Sequence, residues 1–445
     1  MIKKFVFLSS ILFLFGCGTV SALNPFDGEK KQERLEGERI SVLELQKALE
    51  PDDLILETLG FVPPNAWQNQ YWPQTGGYPN HAMQNLELSS GELEKMWSID
   101  IGAGEKDNLP LTAQPIVFDG HIFVMDAESR VTSVNIKTGK RAWQYNLKPK
   151  EEDEYVISGG LAYSAGTLYA TSGFNELFAL NPSDGKVKWK KTLTSPSRAA
   201  PTVIDNRIFV VTIDNHIYAY SAENGNRLWS YQGLSSEAGL VGMAAPAANR
   251  DIVVPVFSSG EIYALRVENG SVAWVENLAS TRHGSGLSSI SDIRALPVMD
   301  KGAIIAMSYG GKIVALDERS GNRIWQREIG GSQTPWVAGN HLFMLTSNNE
   351  LTALGRDQGK VVWVTQLPKH KKPKSREGAI ALKGPILAGG RLIVAGSNGM
   401  IYEVDPTNGK MLRDWSLRKE IVVSPIVAGG VMYVLTANGV LHAYR

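Results

Sequence analysis

A glycine followed four residues later by a tryptophan recurs along this 445-residue sequence, and this repeat limits the possible folds more than any other feature. Counting a seventh glycine at Gly409, successive glycines are 46, 40, 45, 51, 38 and 50 residues apart. A repeat of about 40–50 residues is typical of the four-stranded blade of a β-propeller. The six complete copies are Gly139 with Trp143, Gly185 with Trp189, Gly225 with Trp229, Gly270 with Trp274, Gly321 with Trp325, and Gly359 with Trp363.

Each period also contains the same order of short apolar runs and turns. In one period, residues 201–204, 207–211 and 217–220 form runs rich in β-branched and aromatic residues, separated by Asp, Asn or Gly. Such runs predict antiparallel strands, so the fold class is all-β. One tryptophan per blade can bury roughly 150–250 Å² against the neighbouring blade. The predicted blade anchors are Trp97, Trp143, Trp189, Trp229, Trp274, Trp325 and Trp363.

The two ends of the repeat region are complementary. The last period, residues 425–445, has three strand-like runs and lacks the glycine turn and the tryptophan strand. Residues 93–99, which include Trp97, precede the first full period at Pro115. Because an open stack of blades would expose two sheet edges, we expect residues 93–99 to supply the missing strand of the C-terminal blade. The prediction is one eight-bladed β-propeller over residues 65–445.

The first residues have the pattern of a bacterial lipoprotein signal. Lys3 and Lys4 precede an apolar run at 5–15, which is too short to span a bilayer and suits a signal peptide. The run ends in Leu-Phe-Gly-Cys, and Cys17 is the single cysteine of the chain. We therefore expect a signal peptide at 1–16, lipidation of Cys17 and a charged tether at 17–64, on the periplasmic face of the outer membrane. An ordinary signal peptide, with an incidental Cys17, is the alternative.

The repeat motif resembles that of pyrroloquinoline-quinone-type propellers, since Ala179, Asn181, Gly185 and Trp189 match its Ala-x-Asp-x-x-x-Gly-x-x-x-Trp pattern with Asn for Asp. Together with the lipoprotein signal, the whole chain resembles the BamB family. That resemblance implies a scaffold without cofactor or catalytic residues. It also implies docking on the periplasmic POTRA domains of BamA within a multi-subunit complex, and contact with unfolded outer-membrane proteins by strand addition.

The resemblance also places the partner-binding residues on two loops. A Leu-x-Leu-Arg run in the family corresponds to residues 238–241, and an Asp-x-Asp pair corresponds to residues 292–294. Leu240 and Val241 would then form an apolar patch, with Asp292 and Arg294 as exposed charges beside it. This sequence departs from the family at Ala238, Val241 and Arg294. The basic run Lys369–Arg376 is a second candidate surface.

Two other functional classes stay open. A quinoprotein dehydrogenase shares these repeats, although no cluster of carboxylates in the sequence marks a calcium site. A periplasmic ligand-binding propeller is the other class. Nucleic-acid binding is disfavoured because 45 Lys and Arg residues balance 45 Asp and Glu residues. The seven histidines are scattered without an i, i+4 metal pair.

The lipidation hypothesis predicts that Cys17→Ser releases the protein into the soluble periplasmic fraction or leaves an unprocessed precursor. The reason is that acyl chains, at about 0.8 kcal/mol per buried CH₂, supply the membrane affinity. Cell fractionation and palmitate labelling measure the effect. Palmitate labelling that persists in the variant would contradict the assignment.

Overall fold

Short β-branched and aromatic runs form 34 β-strands in the part of the chain that the structure describes. They build eight four-stranded antiparallel sheets, numbered here as blades 1 to 8, and one two-stranded hairpin. Blades 1 to 4 contain, in order, β2 (Ile116–Phe118), β3 (His121–Met125), β4 (Arg130–Asn135) and β5 (Arg141–Asn146); β6 (Leu161–Ser164), β7 (Thr167–Ser172), β8 (Glu176–Leu180) and β9 (Val187–Thr192); β10 (Thr202–Ile204), β11 (Arg207–Thr212), β12 (His216–Ser221) and β13 (Arg227–Gln232); and β14 (Ala247–Ala248), β15 (Ile252–Val254), β16 (Glu261–Arg266) and β17 (Val272–Asn277).

The remaining blades follow the same meander, in which consecutive strands are hydrogen-bonded neighbours. Blades 5 to 8 contain β18 (Val298–Asp300), β19 (Ala303–Met307), β20 (Ile313–Asp317) and β21 (Arg323–Arg327); β22 (Trp336–Ala338), β23 (His341–Leu345), β24 (Glu350–Gly355) and β25 (Val361–Gln366); β28 (Leu382–Ala388), β29 (Arg391–Gly396), β30 (Met400–Val404) and β31 (Met411–Ser416); and β32 (Ile426–Ala428), β33 (Val431–Thr436) and β34 (Val440–Tyr444) with β1 (Lys95–Asp100). The hairpin, β26 (His370–Lys372) with β27 (Glu377–Ala379), lies between blades 6 and 7 in sequence. The eight-bladed propeller expected from the repeats is confirmed.

The structure is a computed structural model that describes residues 49–52, 60–106, 108–234, 242–278 and 292–445. The predicted signal peptide with Cys17, most of the predicted tether, and Leu240 and Val241 lie outside the described residues. None of the described residues belongs to a helix long and apolar enough to cross a membrane.

The N-terminal strand β1 is the outermost strand of blade 8. It pairs antiparallel with β34, and Trp97 lies opposite Ala443. The C-terminal blade therefore takes its fourth strand from the segment that the sequence assigned to it. Contacts with the propeller begin before residue 65, since the buried Phe61 packs edge-on against Phe343 at 5.2 Å between ring centroids.

The tryptophans of the repeat each contact the glycine of the next blade. A Cβ atom built on that glycine would lie only 2.4–2.8 Å from the tryptophan ring, at Gly139, Gly185, Gly225, Gly270, Gly321, Gly359 and Gly409. These seven glycines have φ between +63° and +73°, a region where other residues are strained. The repeat therefore encodes a contact between blades in addition to a turn within one blade.

Most of these rings also make a hydrogen bond across the blade boundary. The indole Nε1 donates to a carbonyl oxygen of the following blade at 2.6–3.1 Å in Trp97, Trp143, Trp229, Trp274, Trp325 and Trp363. A buried indole N–H needs such an acceptor, so the bond fixes the ring orientation as well as the blade spacing.

Replacing Gly270 by Ala tests the ring contact. Its φ is +73°, and the new Cβ would lie 2.5 Å from Cε3 of Trp229. We expect a loss of about 1–2 kcal/mol from backbone strain, and about 1–3 kcal/mol more from overpacking. The free energy of unfolding, measured with urea, reports the loss.

Gly302→Ala is the matched control, because Gly302 has φ +77° and no atom within 4 Å of its built Cβ. It should show the strain alone. Equal destabilisation by the two substitutions would mean that contact with the tryptophan ring adds nothing to stability.

Candidate functional site

A segment ahead of the first blade, residues 69–86, here called the strap, runs once around the inner edge of the propeller. It bonds to the first strand of every blade, in the order 8, 1, 2, 3, 4, 5, 6, 7. In strap order, Asn69 bonds to Val427, Trp72 to Val117, Pro73 to Tyr163, Gln74 to Val203, Pro79 to Ala248, Asn80 to Met299, Gln84 to Trp336 and Leu86 to Leu387.

Most of these bonds satisfy backbone groups of the first strands that would otherwise lie on an open sheet edge, while at blade 6 the donor is the indole of Trp336. Trp72 and Val117 exchange two backbone bonds of 2.8 Å each. The side-chain amide of Gln74 makes the two hydrogen bonds that a neighbouring strand would make. It donates to the carbonyl of Val203 at 2.7 Å and accepts from the N–H of Val203 at 2.9 Å. Unpaired inner edges are liabilities in a sheet protein, and the strap removes them.

A cavity of about 400 Å³ lies where the chain enters the first strands. All eight blades contribute residues from just before or at the start of these strands, so the cavity lies on the axis of the ring. The strap forms one wall through Trp72, Thr75, Gly76 and His81. The blades contribute, among others, Gln114, Gly159, Ala200, Ala245, Leu296, Thr334, Ile386 and Ser424.

The charged side chains of this wall are mostly cationic. Arg198, Arg294 and Lys383 line the cavity together with one carboxylate, that of Glu105. Burial lowers the pKa of Lys383, the charge of Arg294 lowers it further, and Glu105 partly opposes both effects. Burial likewise lowers the pKa of Arg294, which Asp292 and Tyr309 counteract. The cavity therefore concentrates positive charge in a partly desolvated place.

His81 of the strap is buried in the same wall but carries no charge at neutral pH. Burial lowers the pKa of His81 to about 4, and the hydrogen bond to the backbone of Pro297 opposes this shift only in part. The neutral ring donates from Nδ1 to the Pro297 carbonyl oxygen at 2.7 Å. His81 therefore holds the strap against blade 5 and adds nothing to the charge of the cavity.

The two loops predicted as the docking surface lead to this cavity. Gly242 and Met243, which directly follow Leu240 and Val241 in sequence, line it together with Arg294 of the second loop. A Cβ atom built on Gly242 would lie 2.7 Å from Nη2 of Arg294. The described ends of the two loops thus meet on one face of the propeller.

The expectation that Asp292 and Arg294 are exposed charges is wrong for Asp292. Its residue is only 5% exposed, and its backbone carbonyl accepts from Tyr309 N at 3.1 Å. Arg294 is half-buried and faces the cavity. The buried carboxylate of Asp292 stabilises the charged form of Arg294 electrostatically. The sequence could not indicate this role, because it does not show that Asp292 is buried.

The basic run Lys369–Arg376 forms most of the hairpin β26–β27 and its turn. Its charges are partly matched by carboxylates, since Lys371 pairs with Glu420 at 2.6 Å and Lys372 pairs with Glu377 at 2.9 Å. The hairpin side chains are mostly exposed. Exposed pairs of this kind contribute little to stability, so the hairpin remains a candidate surface.

No metal site is visible in the described ranges, which contain no group of three or more His, Cys, Asp or Glu side chains placed to hold an ion.

The sequence did not predict the strap or the cavity cations. The strap carries no copy of the glycine–tryptophan repeat, and the cations stand singly, more than 80 residues apart, in three blades.

Comparison with known proteins identifies the family. A profile described as "Outer membrane protein assembly factor BamB" matches residues 127–365 and 367–445. The assembly factor BamB of Yersinia pestis is 25% identical over 356 residues, which cover 79% of this chain and 88% of the relative. BamB of Escherichia coli K12 is 25% identical and covers 78% and 87%. An uncharacterised protein of Rickettsia conorii is 28% identical and covers 66% and 73%.

Solved structures agree on the fold and cover two functional classes. BamB from Moraxella catarrhalis superposes with a TM-score of 0.67 at 20% identity, covering 80% of this chain and all of that one. A europium-containing methanol dehydrogenase gives 0.64 at 15% identity, covering 82% and 89%. The shared propeller alone therefore does not separate assembly factors from dehydrogenases. The profile, which matches well over half of the sequence, does separate them: this chain belongs to the BamB family of outer membrane protein assembly factors.

Proposed function

We propose that this chain is a non-catalytic scaffold of the outer-membrane protein assembly complex and docks on the periplasmic POTRA domains of BamA. The observation that carries the proposal is the family match over residues 127–365 and 367–445. The relatives from Yersinia and Escherichia are named as assembly factors, and both align over most of their length. A scaffold needs a rigid body with an accessible face, which suits a ring whose blades are joined by tryptophan–glycine contacts and, along their inner edges, by the strap.

Membrane attachment in this proposal depends on Cys17. Removal of residues 1–16 would leave that cysteine at the N-terminus, and residues 17–64 would link it to the propeller. The lipid would hold the protein on the periplasmic face of the outer membrane, where BamA presents its soluble domains. A single acyl chain binds only marginally, so stable attachment requires the several chains of a lipoprotein anchor.

The proposed docking face is the one at which the two predicted loops meet. Leu240 and Val241 supply its apolar part, because a few buried apolar residues dominate the energy of most interfaces. Arg294, which lines the cavity with Gly242 and Met243, would contribute a positive charge. Asp292 is buried and therefore would not contact BamA directly. Its role in this proposal is to stabilise the charge of Arg294.

Outer-membrane protein precursors have a separate place on the blades. The outermost strand of each four-stranded sheet has one unpaired edge. Apolar side chains are exposed along these strands, among them Leu228, Val275, Ile324 and Leu412 at 48–54% exposure. An extended segment can add to such an edge through main-chain hydrogen bonds. The two activities would therefore use different surfaces.

Leu240→Asp tests the docking face. A carboxylate in the centre of an apolar interface should weaken binding to the purified POTRA domains by about 2 kcal/mol or more, as expected for a hot-spot residue. Isothermal titration calorimetry gives the affinity. The matched control is Leu228→Asp, the same change at a 48% exposed position of the outer strand β13, which should leave the affinity unchanged.

Three results would overturn this proposal in different ways. Wild-type affinity in a Leu240→Asp protein with normal melting would exclude the loop as the docking site. Absence of BamA binding in the wild-type protein, combined with quinone-dependent dehydrogenase activity, would favour the enzymatic alternative. Selective binding of a periplasmic ligand, with neither BamA binding nor turnover, would favour a ligand-binding propeller.

A further inference from the structure

The axial cavity holds more positive charge than its own acidic group can balance. Arg198, Arg294 and Lys383 line the cavity with one carboxylate, that of Glu105, and the buried Asp292 carboxylate also acts on Arg294. Three cations therefore stand against two acidic groups when His81 is neutral. Within the described residues, none of the three cations makes an ion pair with a carboxylate within 4.0 Å. Buried or partly buried charges are usually paired, so this arrangement is costly without a ligand.

The electrostatics point to mutual repulsion inside the cavity. Burial opposes the charged form of Lys383, and the neighbouring Arg294 opposes it further. The carboxyl group of Glu105 is itself disfavoured as an anion by burial, so its pKa is raised, although Lys383 counteracts this. An anion placed between the cations would relieve both the repulsion and the desolvation.

The wall also offers uncharged hydrogen-bonding groups. The hydroxyl Oγ1 of Thr75 is buried and has no partner among the described residues. Ser332 and Thr334, which precede the first strand of blade 6, add hydroxyls to the lining. Gly242, with φ +89°, leaves space for the guanidinium of Arg294, since a Cβ there would lie 2.7 Å from Nη2. A buried, unsatisfied hydroxyl is rare in folded proteins and points to a missing acceptor or donor.

Size limits what can enter. The cavity of about 400 Å³ lies in the lower part of the range for small-molecule sites, about 300–1,000 Å³. The strap bonds to two first strands three residues beyond the cavity-lining Ala200 and Leu296, at Val203 and Met299. At about 3.3 Å per residue, these bonds lie roughly 10 Å along the strands from those lining residues.

From these observations we propose that the axial cavity is a binding site for a small multivalent oxyanion carrying carboxylate or phosphate groups, held by Arg198, Arg294 and Lys383. Carboxylate and phosphate oxygens accept charge-assisted hydrogen bonds from guanidinium and ammonium groups, and Arg can make two such bonds at once. The site goes beyond the proposed scaffold role and needs no partner protein for its occupancy.

Isothermal titration calorimetry of the purified full chain tests this site, with citrate and inorganic phosphate as separate probes and sodium chloride at matched ionic strength as the reference. We expect saturable binding of one anion per chain, and the preferred probe distinguishes polycarboxylate from phosphate ligands. Lys383→Met and Arg198→Met should each weaken binding at least about tenfold, as for loss of one partner of a buried charge pair. Lys186→Met is the matched control, because that side chain is 84% exposed and remote from the cavity lining.

Thermal melting separates a ligand-binding role of Lys383 from a structural one. Without an anion, Lys383→Met should melt at the same or a higher temperature than the wild type, because the change removes a charge that burial and Arg294 both oppose. With the preferred anion, the wild type should gain stability as the concentration rises, and the variant should need at least about tenfold more anion for the same gain.

Two outcomes would overturn the proposal. In the first, neither citrate nor phosphate gives more binding heat than sodium chloride at the same ionic strength. The three cations would then create a positive potential without a specific anion site. In the second, citrate or phosphate binds to Lys383→Met and Arg198→Met as tightly as to the wild type, so the anion occupies another place.

Discussion

The contact between a tryptophan ring and the glycine of the following blade is the interaction on which this ring depends. At seven blade boundaries there is no room for a Cβ between the turn and the ring, because it would lie 2.4–2.8 Å from an indole carbon. The strand opposite each tryptophan carries a small residue, such as Ala219 opposite Trp229 or Ala315 opposite Trp325. At these seven boundaries, close packing is thus achieved by pairing one large residue with two small ones.

The boundary between blades 7 and 8 uses a different solution. Arg413 stands where the other blades have tryptophan, and Glu403 stands opposite it in place of the small residue. The 1% exposed side chain of Glu403 pairs with Arg391 at 2.5 Å and with Arg413 at 2.6 Å, and Arg391 also donates to the carbonyl of Ser89 at 2.7 Å. Breaking such a buried network by removing one partner is strongly destabilising. This boundary therefore ties the segment leading into β1 to blade 7 by charge, where the other boundaries use an indole ring.

The sequence predicted those parts of the structure that are local or periodic. The blades, their number and the pairing of β1 with β34 follow from runs of a few residues that recur at a fixed spacing. The strap could not be predicted, because its bonds are mostly to backbone groups up to 358 residues away and leave no periodic pattern. The cavity cations were missed for a similar reason: Arg198, Arg294 and Lys383 meet only when the ring is closed.

The central claim is that the strap joins the inner edges of all eight blades, so that the propeller behaves as one rigid body. Hydrogen–deuterium exchange of the purified protein tests it at the amides of Val117, Tyr163, Ala248 and Met299, which donate to strap carbonyls. The account predicts that these amides exchange as slowly as those between the central strands of each blade, since exchange requires the strap to open. Rapid exchange at these four positions, with the central strands still protected, would contradict it.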